Sequence, residues 1–318
     1  MAGIRDIARI TGRSISTVSL ALKGSHKVTE ETKEEILKVA KELGYTPNLV
    51  AQSMRSGQTR IIGVYLGDYS GPVYGPLLKG MRESLSEKKY DLIACAGKQS
   101  RRLLLEKMLD GALILDASFS DEDILSSAEL GHKIVLLDRP LIHENISTLL
   151  LDNAKGAKLA VENLVKHQVK KVFVVTGPKD SYDSQERLNA ATRSLEAHPN
   201  LNVAYLLGDF TKESGVEAAN QIFQDFNGPI AIFCLNDEMA VGVYNYLKET
   251  DYQIGKDVFI VGFDNIELAS YIEPRLTTIN YSTFEWGKLA TDSLLNLLEG
   301  NPASHEILEV ELIEGQSS

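Results

Sequence analysis

The 318-residue chain holds only two cysteines, Cys95 and Cys234, and each sits inside an apolar run. That excludes a disulfide framework and a thiolate metal cluster, and leaves two buried core thiols. No apolar stretch approaches the roughly 18 residues a membrane-spanning helix needs. Near the start, Arg5, Asp6 and Arg9 interrupt the place where the apolar segment of a signal peptide would lie, so a cytoplasmic protein is expected. The chain has no GxSxG elbow, no P-loop and no GxGxxG after a strand. Its six histidines (26, 132, 143, 167, 198 and 305) show no metal-ligand spacing. An enzyme, a resident metal and a cofactor are therefore not expected. No heptad pattern follows Glu314, which favours a dimer over a tetramer.

The formal net charge of −11 argues against nucleic acid only if it is spread evenly. It is not. Residues 1–60 carry ten Lys/Arg against six Asp/Glu, a net +4, which leaves −15 on the remaining 258 residues. A basic head on an acidic body fits a small DNA-binding module joined to a larger regulatory domain. Within the head, GIRDIARITGRSISTVSLALK (3–23) reads as a helix-turn-helix. Ile4, Ile7, Ala8 and Ile10 are assigned to one helical face, and Thr11-Gly12 breaks the pattern. A second short helix begins near Ser16 with Ser14 or Ser16 as its cap, and Val18, Ala21 and Leu22 face inward. Periodicity alone fits any helical hairpin; in a DNA-binding one the second helix enters a major groove. Thr29 caps a third helix with glutamates in its first turn, buried through Ile36, Leu37, Val39, Ala40 and Leu43 and stopped by Gly44. LVAQSMRS (49–56) follows, a helix-compatible octet too short to be stable alone, which reads as a tether or as a linker that folds on contact.

From Ile61 the chain alternates continuous apolar runs with amphipathic stretches. Strands are expected at 61–66, 90–96, 111–116, 133–138, 146–152, 169–177, 203–209, 230–236 and 257–264. Helices are expected at 74–88, about 101–109, 121–129, 154–167, 184–197, 213–225 and 237–249. Uninterrupted apolar strands alternating with helices predict doubly wound parallel sheets, in two halves flanking a cleft. In such folds ligands lie beyond the carboxyl ends of the strands. Gathered there are Asp116, Asp138-Arg139, Asp152-Asn153, Asp209-Phe210, Asn236-Asp237 and Asp264-Asn265, with Arg187 on a following helix. Carboxylates, amides, one arginine and an aromatic ring suit a polyhydroxylated ligand. About half of the set is expected to be structural, since Asp152, Asn236 and Asp264 precede possible helix starts.

Taken together, IRDIARITGRSISTVSLALKG, VTEETKEEILKVAKELGYTPNLVAQSMRS, IIGVYLGD, LDN at 151–153, TGP with Arg187, GDFTKESG, LNDEMAVGV, VGFDN and RLTTI resemble the LacI/GalR family of bacterial transcription regulators over essentially the whole chain. The resemblance implies an all-α helix-turn-helix headpiece (1–46) and a hinge helix and linker (47–60). An α/β core (61–318) follows, of two doubly wound parallel-sheet subdomains like those of periplasmic binding proteins. Subdomain one spans about 61–152 and 283–305, and subdomain two about 154–279 and 306–318, joined by crossings near 152–155, 279–283 and 304–308. It further implies a homodimer on double-stranded operator DNA, with a recognition face of Ile15, Ser16, Thr17, Ser19 and Leu20. Phosphate and groove-edge contacts fall to Lys23, Lys27, Thr29, Thr32, Tyr45 and Asn48. The hinge places Ala51, Met54 and Arg55 at the minor groove, with Met54 as the wedge where leucine is usual and Arg60 as a further contact. Leu20 stands where many members carry arginine; it cannot hydrogen-bond a base and offers only apolar contact. Implied effector residues are Val73, Tyr74, Asp138, Arg187, Phe210, Asn236, Asp264 and Tyr281. Between the second strand and Asp110-Gly111 the chain is several residues shorter than is usual.

The expected function is a transcriptional repressor of carbohydrate-use genes, controlled by a sugar or sugar phosphate that rotates one subdomain against the other. An alternative within the family is a regulator that takes a phosphorylated carrier protein as corepressor. A transport-type sugar-binding protein would need neither the headpiece nor this N-terminus, and an enzyme lacks its motifs.

Overall fold

The computed structural model describes residues 3–46, 57–224 and 228–318. They fall into two compact units, Met1–Thr59 and Arg60–Ser318.

The first unit has three described helices, α1 (Ile4–Thr11), α2 (Ile15–Leu22) and α3 (Glu30–Glu42). Each start is chemically fixed. The Gly3 amide donates to Asp6 Oδ2 at 2.9 Å, the Thr17 amide to Ser14 Oγ at 3.0 Å and the Thr32 amide to Thr29 Oγ1 at 3.4 Å. Ser14 rather than Ser16 is thus the cap of α2. Gly12 and Gly44, at φ 65° and 60°, take the left-handed turns that end α1 and α3. Ile7, Ala8, Val18, Ala21, Val28, Ile36 and Ala40 form one core. Two expected core residues lie outside it: Ile10 is 54% exposed and Leu37 50%. At 100° per residue each falls about 110° from the centre of its helix's buried stripe, too far round to reach the core.

The second unit is built on two six-stranded sheets. Sheet one takes β1 (Ile61–Leu66), β2 (Asp91–Ala96), β3 (Gly111–Leu115), β4 (Lys133–Leu136), β5 (Ile146–Leu151) and β11 (His305–Leu308), ordered β11-β5-β4-β3-β1-β2 and parallel throughout. Sheet two takes β6 (Lys171–Val175), β7 (Asn202–Leu206), β8 (Ile230–Cys234), β9 (Val258–Phe263), β10 (Thr277–Asn280) and β12 (Glu311–Ile313). Its order is β12-β10-β9-β8-β6-β7, and only β12 runs antiparallel. Helices α4 (Tyr74–Glu87), α5 (Arg102–Leu105), α6 (Asp121–Glu129) and α11 (Thr283–Leu298) accompany sheet one; α7 (Asn153–Val165), α8 (Tyr182–Glu196), α9 (Lys212–Phe223) and α10 (Asp237–Leu247) accompany sheet two. Strands β5 and β8 are buried at every residue; β8 accordingly reads as an unbroken apolar run, while β5 carries Ser147 and Thr148 into the interior. None of the described helices is long and apolar enough to cross a membrane.

Two expectations are corrected. The helix placed at about 101–109 is only Arg102–Leu105, because a 3-10 turn takes Lys98–Arg101 and Lys107 turns to φ 56°. The third crossing between sheets is not at 304–308. Residues 305–308 pair with Thr148–Leu151 in sheet one, so the chain crosses at 309–310. The other passages lie between β5 and α7 and between β10 and α11. Helices α4 and α11 pack through reciprocal glycines: a Cβ at Gly80 would lie 2.0 Å from the Phe284 carbonyl oxygen, and one at Gly287 2.2 Å from that of Leu77.

Candidate functional site

In the headpiece, α2 presents Ile15, Ser16 and Leu20 to solvent, while Thr17 and Ser19 are half-buried. The Thr17 hydroxyl lies 2.8 Å from that of Ser14, so it also supports the cap. Lys23, at the end of α2, and Lys27 are exposed and make no ion pair among the described residues, whereas Arg9, Arg13 and Lys33 pair with Asp6, Glu35 and Glu30. Unpaired lysines beside an exposed short helix are the groups a phosphate backbone would recruit. The Thr29 hydroxyl donates to that of Thr32 at 2.9 Å. Tyr45 packs against the headpiece core, half-buried. Asn48, Ala51, Met54 and Arg55 lie outside the described residues. Arg60, expected as a further DNA contact, belongs to the second unit, where its guanidinium stacks 4.9 Å from the Tyr90 ring centroid.

A cleft of about 870 Å³ opens in the second unit, lined from both sheets. It is the size of a small-molecule site. All eight expected effector residues line it: Val73 and Tyr74 at the start of α4, Asp138 beyond β4, Arg187 on α8, Phe210 and Asn236 before α9 and α10, Asp264 beyond β9, and Tyr281 beyond β10. At its centre Arg187 is 4% exposed. Its Nε donates to Asn153 Oδ1 at 2.8 Å, and its Nη1 donates to the Leu235 carbonyl at 2.7 Å and to Asp264 Oδ1 at 3.3 Å. The guanidinium lies 3.6 Å from the Phe263 ring centroid and 6.0 Å from that of Phe210. Tyr281 donates its hydroxyl to the same Asp264 oxygen at 3.2 Å. Asp264 sits at φ 108°, a backbone an L-residue rarely adopts, which turns the chain sharply at the end of β9.

The strand-end set divides by use. Asp152 and Asn236 cap α7 and α10, accepting from the Lys155 and Met239 amides at 2.9 Å each. Asn236 Nδ2 also donates to the Phe210 carbonyl at 2.9 Å, so its amide is engaged at both ends. Asp209 holds its own turn through Thr211, whose hydroxyl and amide keep that carboxyl below its ordinary range. Asp116 accepts from the Ser118 amide at 2.9 Å. Asp237 is fully buried and accepts from the Ile266 amide and the Thr278 hydroxyl. Asp264 caps no helix, contrary to its possible structural role.

Burial raises Asp138, Asp183, Glu238 and Asp264 in the cleft. Asp264 is pushed up to about 6 by burial, opposed by Arg187 and Tyr281. Burial also raises Asp138 against the pull of Arg139, and Asp183 against Arg187 and Asn153, with Asp138 adding to the rise at Asp183. Asp183 and Asn153 were not among the expected effector residues. Asn153 Nδ2 donates to Asp183 Oδ1 at 2.7 Å while its Oδ1 receives Arg187, so it fixes both. The spacing of Asp183 and Arg187, four residues apart on one helix, was the available signal. Glu238 and Trp286 also line the cleft and were likewise unforeseen.

Residues 3–48 match the profile of the bacterial regulatory proteins, lacI family, and residues 161–318 that of the periplasmic binding protein-like domain. Over 322 residues the chain is 31% identical to the ribose operon repressor of Haemophilus influenzae, covering 98% of this chain and 96% of the relative. The chain belongs to the LacI family. This LacI-family member is 47% identical to a sugar-binding transcriptional regulator of that family from Enterococcus faecalis, with a TM-score of 0.77 over 82% of this chain and 98% of the other. It is 26% identical to a LacI-family regulator from Enterococcus faecalis V583 solved with bound ribose, with a TM-score of 0.72 over 81% and 98% of the two chains. The LacI-family protein described here is accordingly a DNA-binding transcriptional regulator of the effector-controlled, repressor type.

Proposed function

We propose that this regulator represses carbohydrate-use genes as a homodimer, reading operator DNA with Ile15, Ser16, Thr17, Ser19 and Leu20, and that a sugar in the cleft controls it. Lys23, Lys27, Thr29, Thr32, Tyr45 and Asn48 serve the phosphate backbone and groove edges, and Ala51, Met54 and Arg55 serve the minor groove, with Met54 as the wedge. The observation that carries the effector reading is the Asp264–Arg187–Tyr281 cluster in a cleft lined from two sheets, where carboxylates accept from ligand hydroxyls and an aromatic ring, Phe210, faces the same space. Ribose is the first candidate, because relatives named for the ribose operon and a structure with bound ribose stand among those matched. Exposed Ile93 on edge strand β2, with Leu105 and Met108 close in sequence, supports pairing through subdomain one.

The test is thermal unfolding of the full chain against ribose and other sugars. A ligand at a hundred times its Kd stabilises the native state by about 2.7 kcal/mol, a shift of about 5–10 °C for a unit of this size. Asp264→Ala is expected to abolish the shift while operator binding in a gel-shift assay persists. A shift that survives Asp264→Ala would place the effector elsewhere, and absence of any shift would refute a sugar effector.

A further inference from the structure

The charge arrangement in the cleft goes beyond a general preference for sugars. Three carboxylates line it from subdomain one (Asp116, Asp121, Asp138) and four from subdomain two (Asp180, Asp183, Glu238, Asp264). Among the described lining residues the cations are Arg139 and Arg187, with no lysine and no histidine. A site for phosphate needs cationic N–H donors free to point at it. Arg139 has none left. Its Nε donates to Asp138 Oδ1 (3.1 Å), Nη1 to the Phe119 carbonyl (2.8 Å) and Asp121 Oδ1 (3.1 Å), and Nη2 to the Asp116 carbonyl (2.6 Å) and Asp138 Oδ2 (2.9 Å). These use all five donors a guanidinium possesses. Arg187 keeps Nη2 without a protein partner among the described residues, and its charge is shared by Asp264, at 3.3 Å, and Asp183 on the same helix. One half-neutralised arginine can orient a hydroxyl or ring oxygen. It cannot offset an anion placed among these carboxylates.

Resting on the sugar-effector reading above, we propose that the cleft admits only effectors without an anionic group, a neutral sugar or sugar alcohol, and rejects sugar phosphates, sugar acids and nucleotides. Each buried carboxylate accepts from a hydroxyl, and Arg187 Nη2 donates to a ligand oxygen. This narrows the expected choice between sugar and sugar phosphate to the first.

The experiment is isothermal titration of the full chain with pairs in which one member carries an added anionic group: ribose and ribose 5-phosphate, glucose and glucose 6-phosphate, glucose and gluconate, with pyrophosphate as a bare anion probe. The expected result is binding by a neutral member and at least ten-fold weaker binding by its charged partner, with no heat from pyrophosphate. Equal or tighter binding by a phosphate ester, lost in Asp264→Ala, overturns the charge rule and leaves the sugar reading standing. No binding by any member of either series, neutral or charged, overturns both. Two variants test the cause. Asp138→Asn releases Arg139 from its carboxylate, and Asp183→Asn removes a second negative charge while keeping an oxygen for Asn153. Each is expected to narrow the gap between ribose and ribose 5-phosphate by about ten-fold, equivalent to about 1.4 kcal/mol. An unchanged gap in both, with ribose still bound, would show that shape rather than charge excludes the ester.

Discussion

Asp264→Asn is expected to make the protein more stable and its cleft useless. Burial raises this carboxyl from an ordinary 3.8 to about 6 even with Arg187 and Tyr281 pulling it down. At pH 7 it is mostly ionised, and the native state bears the cost of that charge. The sign follows from linkage: with the folded value above the unfolded one, the native chain binds more protons between the two, so stability falls as pH rises from about 4 through 6. The difference of about two pH units corresponds to about 3 kcal/mol, an upper bound for the gain on replacing carboxylate by amide. Geometry permits the exchange. Both donors to Asp264, Arg187 Nη1 and the Tyr281 hydroxyl, use the same oxygen, Oδ1, which asparagine retains. The loss of Arg187's counter-charge works against the gain, so about 1–3 kcal/mol is expected. That raises Tm by roughly 3–10 °C. The assay is calorimetry of both proteins between pH 4 and 8 without ligand. The difference should be small near pH 4, grow through pH 6 and level off above it, while sugar-induced stabilisation disappears in the variant. A variant that melts below wild type at pH 7 would refute the reasoning, by showing that Asp264 is held by Arg187 more strongly than burial opposes it.

Leu20→Arg restores a bidentate donor on the exposed face of α2 and should shift operator preference towards guanine at one position per half-site, by about 1–3 kcal/mol in competition binding. An unchanged preference would remove Leu20 from the reading face. Gly287→Ala drives a Cβ against the Leu77 carbonyl at the α4–α11 contact and should destabilise by about 1–3 kcal/mol in urea unfolding. Gly75→Ala, in α4 with open space around it, should instead be neutral or gain up to about 1 kcal/mol. Trp286 is the chain's single tryptophan and lines the cleft, so saturating sugar should change its emission, and Asp264→Ala should remove that response.

The sheets were legible because both faces of a parallel strand are covered, which leaves β1, β3 and β8 as continuous apolar runs. The pattern lapses after Asp264. β10 is four residues long, β11 turns Ile307 to solvent, and β12 is a three-residue antiparallel edge, so no periodicity marks them. The third crossing was misplaced there for that reason. In the cleft, residue types and strand-end position gathered Asp138 and Asp264, with Arg187 on a following helix, into a wider polar set, and the family resemblance narrowed it. What they could not show is which polar atoms are already spent. Asp152 and Asn236 look like Asp264 in sequence but hold helix starts, and Arg139 looks like a ligand-binding arginine until all five of its donors are traced to protein oxygens. Satisfaction of hydrogen bonds is a property of three dimensions and leaves little trace in composition.

The same charges that select the effector bear on how it acts. Asp138 stands beyond β4 of sheet one and Asp183 on the helix after β6 of sheet two, and Asp138 adds to the rise at Asp183 across the cleft. A ligand whose hydroxyls donate to both is expected to offset the repulsion between them, a source of differential affinity for a closed cleft. The connections between sheets are short: one residue, Asp152, between β5 and α7, two between β10 and α11, and two between β11 and β12. Tyr281 lies in the second of these. It donates to Asp264 and meets the Trp286 ring edge-on at 5.7 Å, and Trp286 Nε1 donates to the Leu149 carbonyl in β5, just before the first. An effector on Asp264 thus bears directly on two of the three strands about which the subdomains would turn.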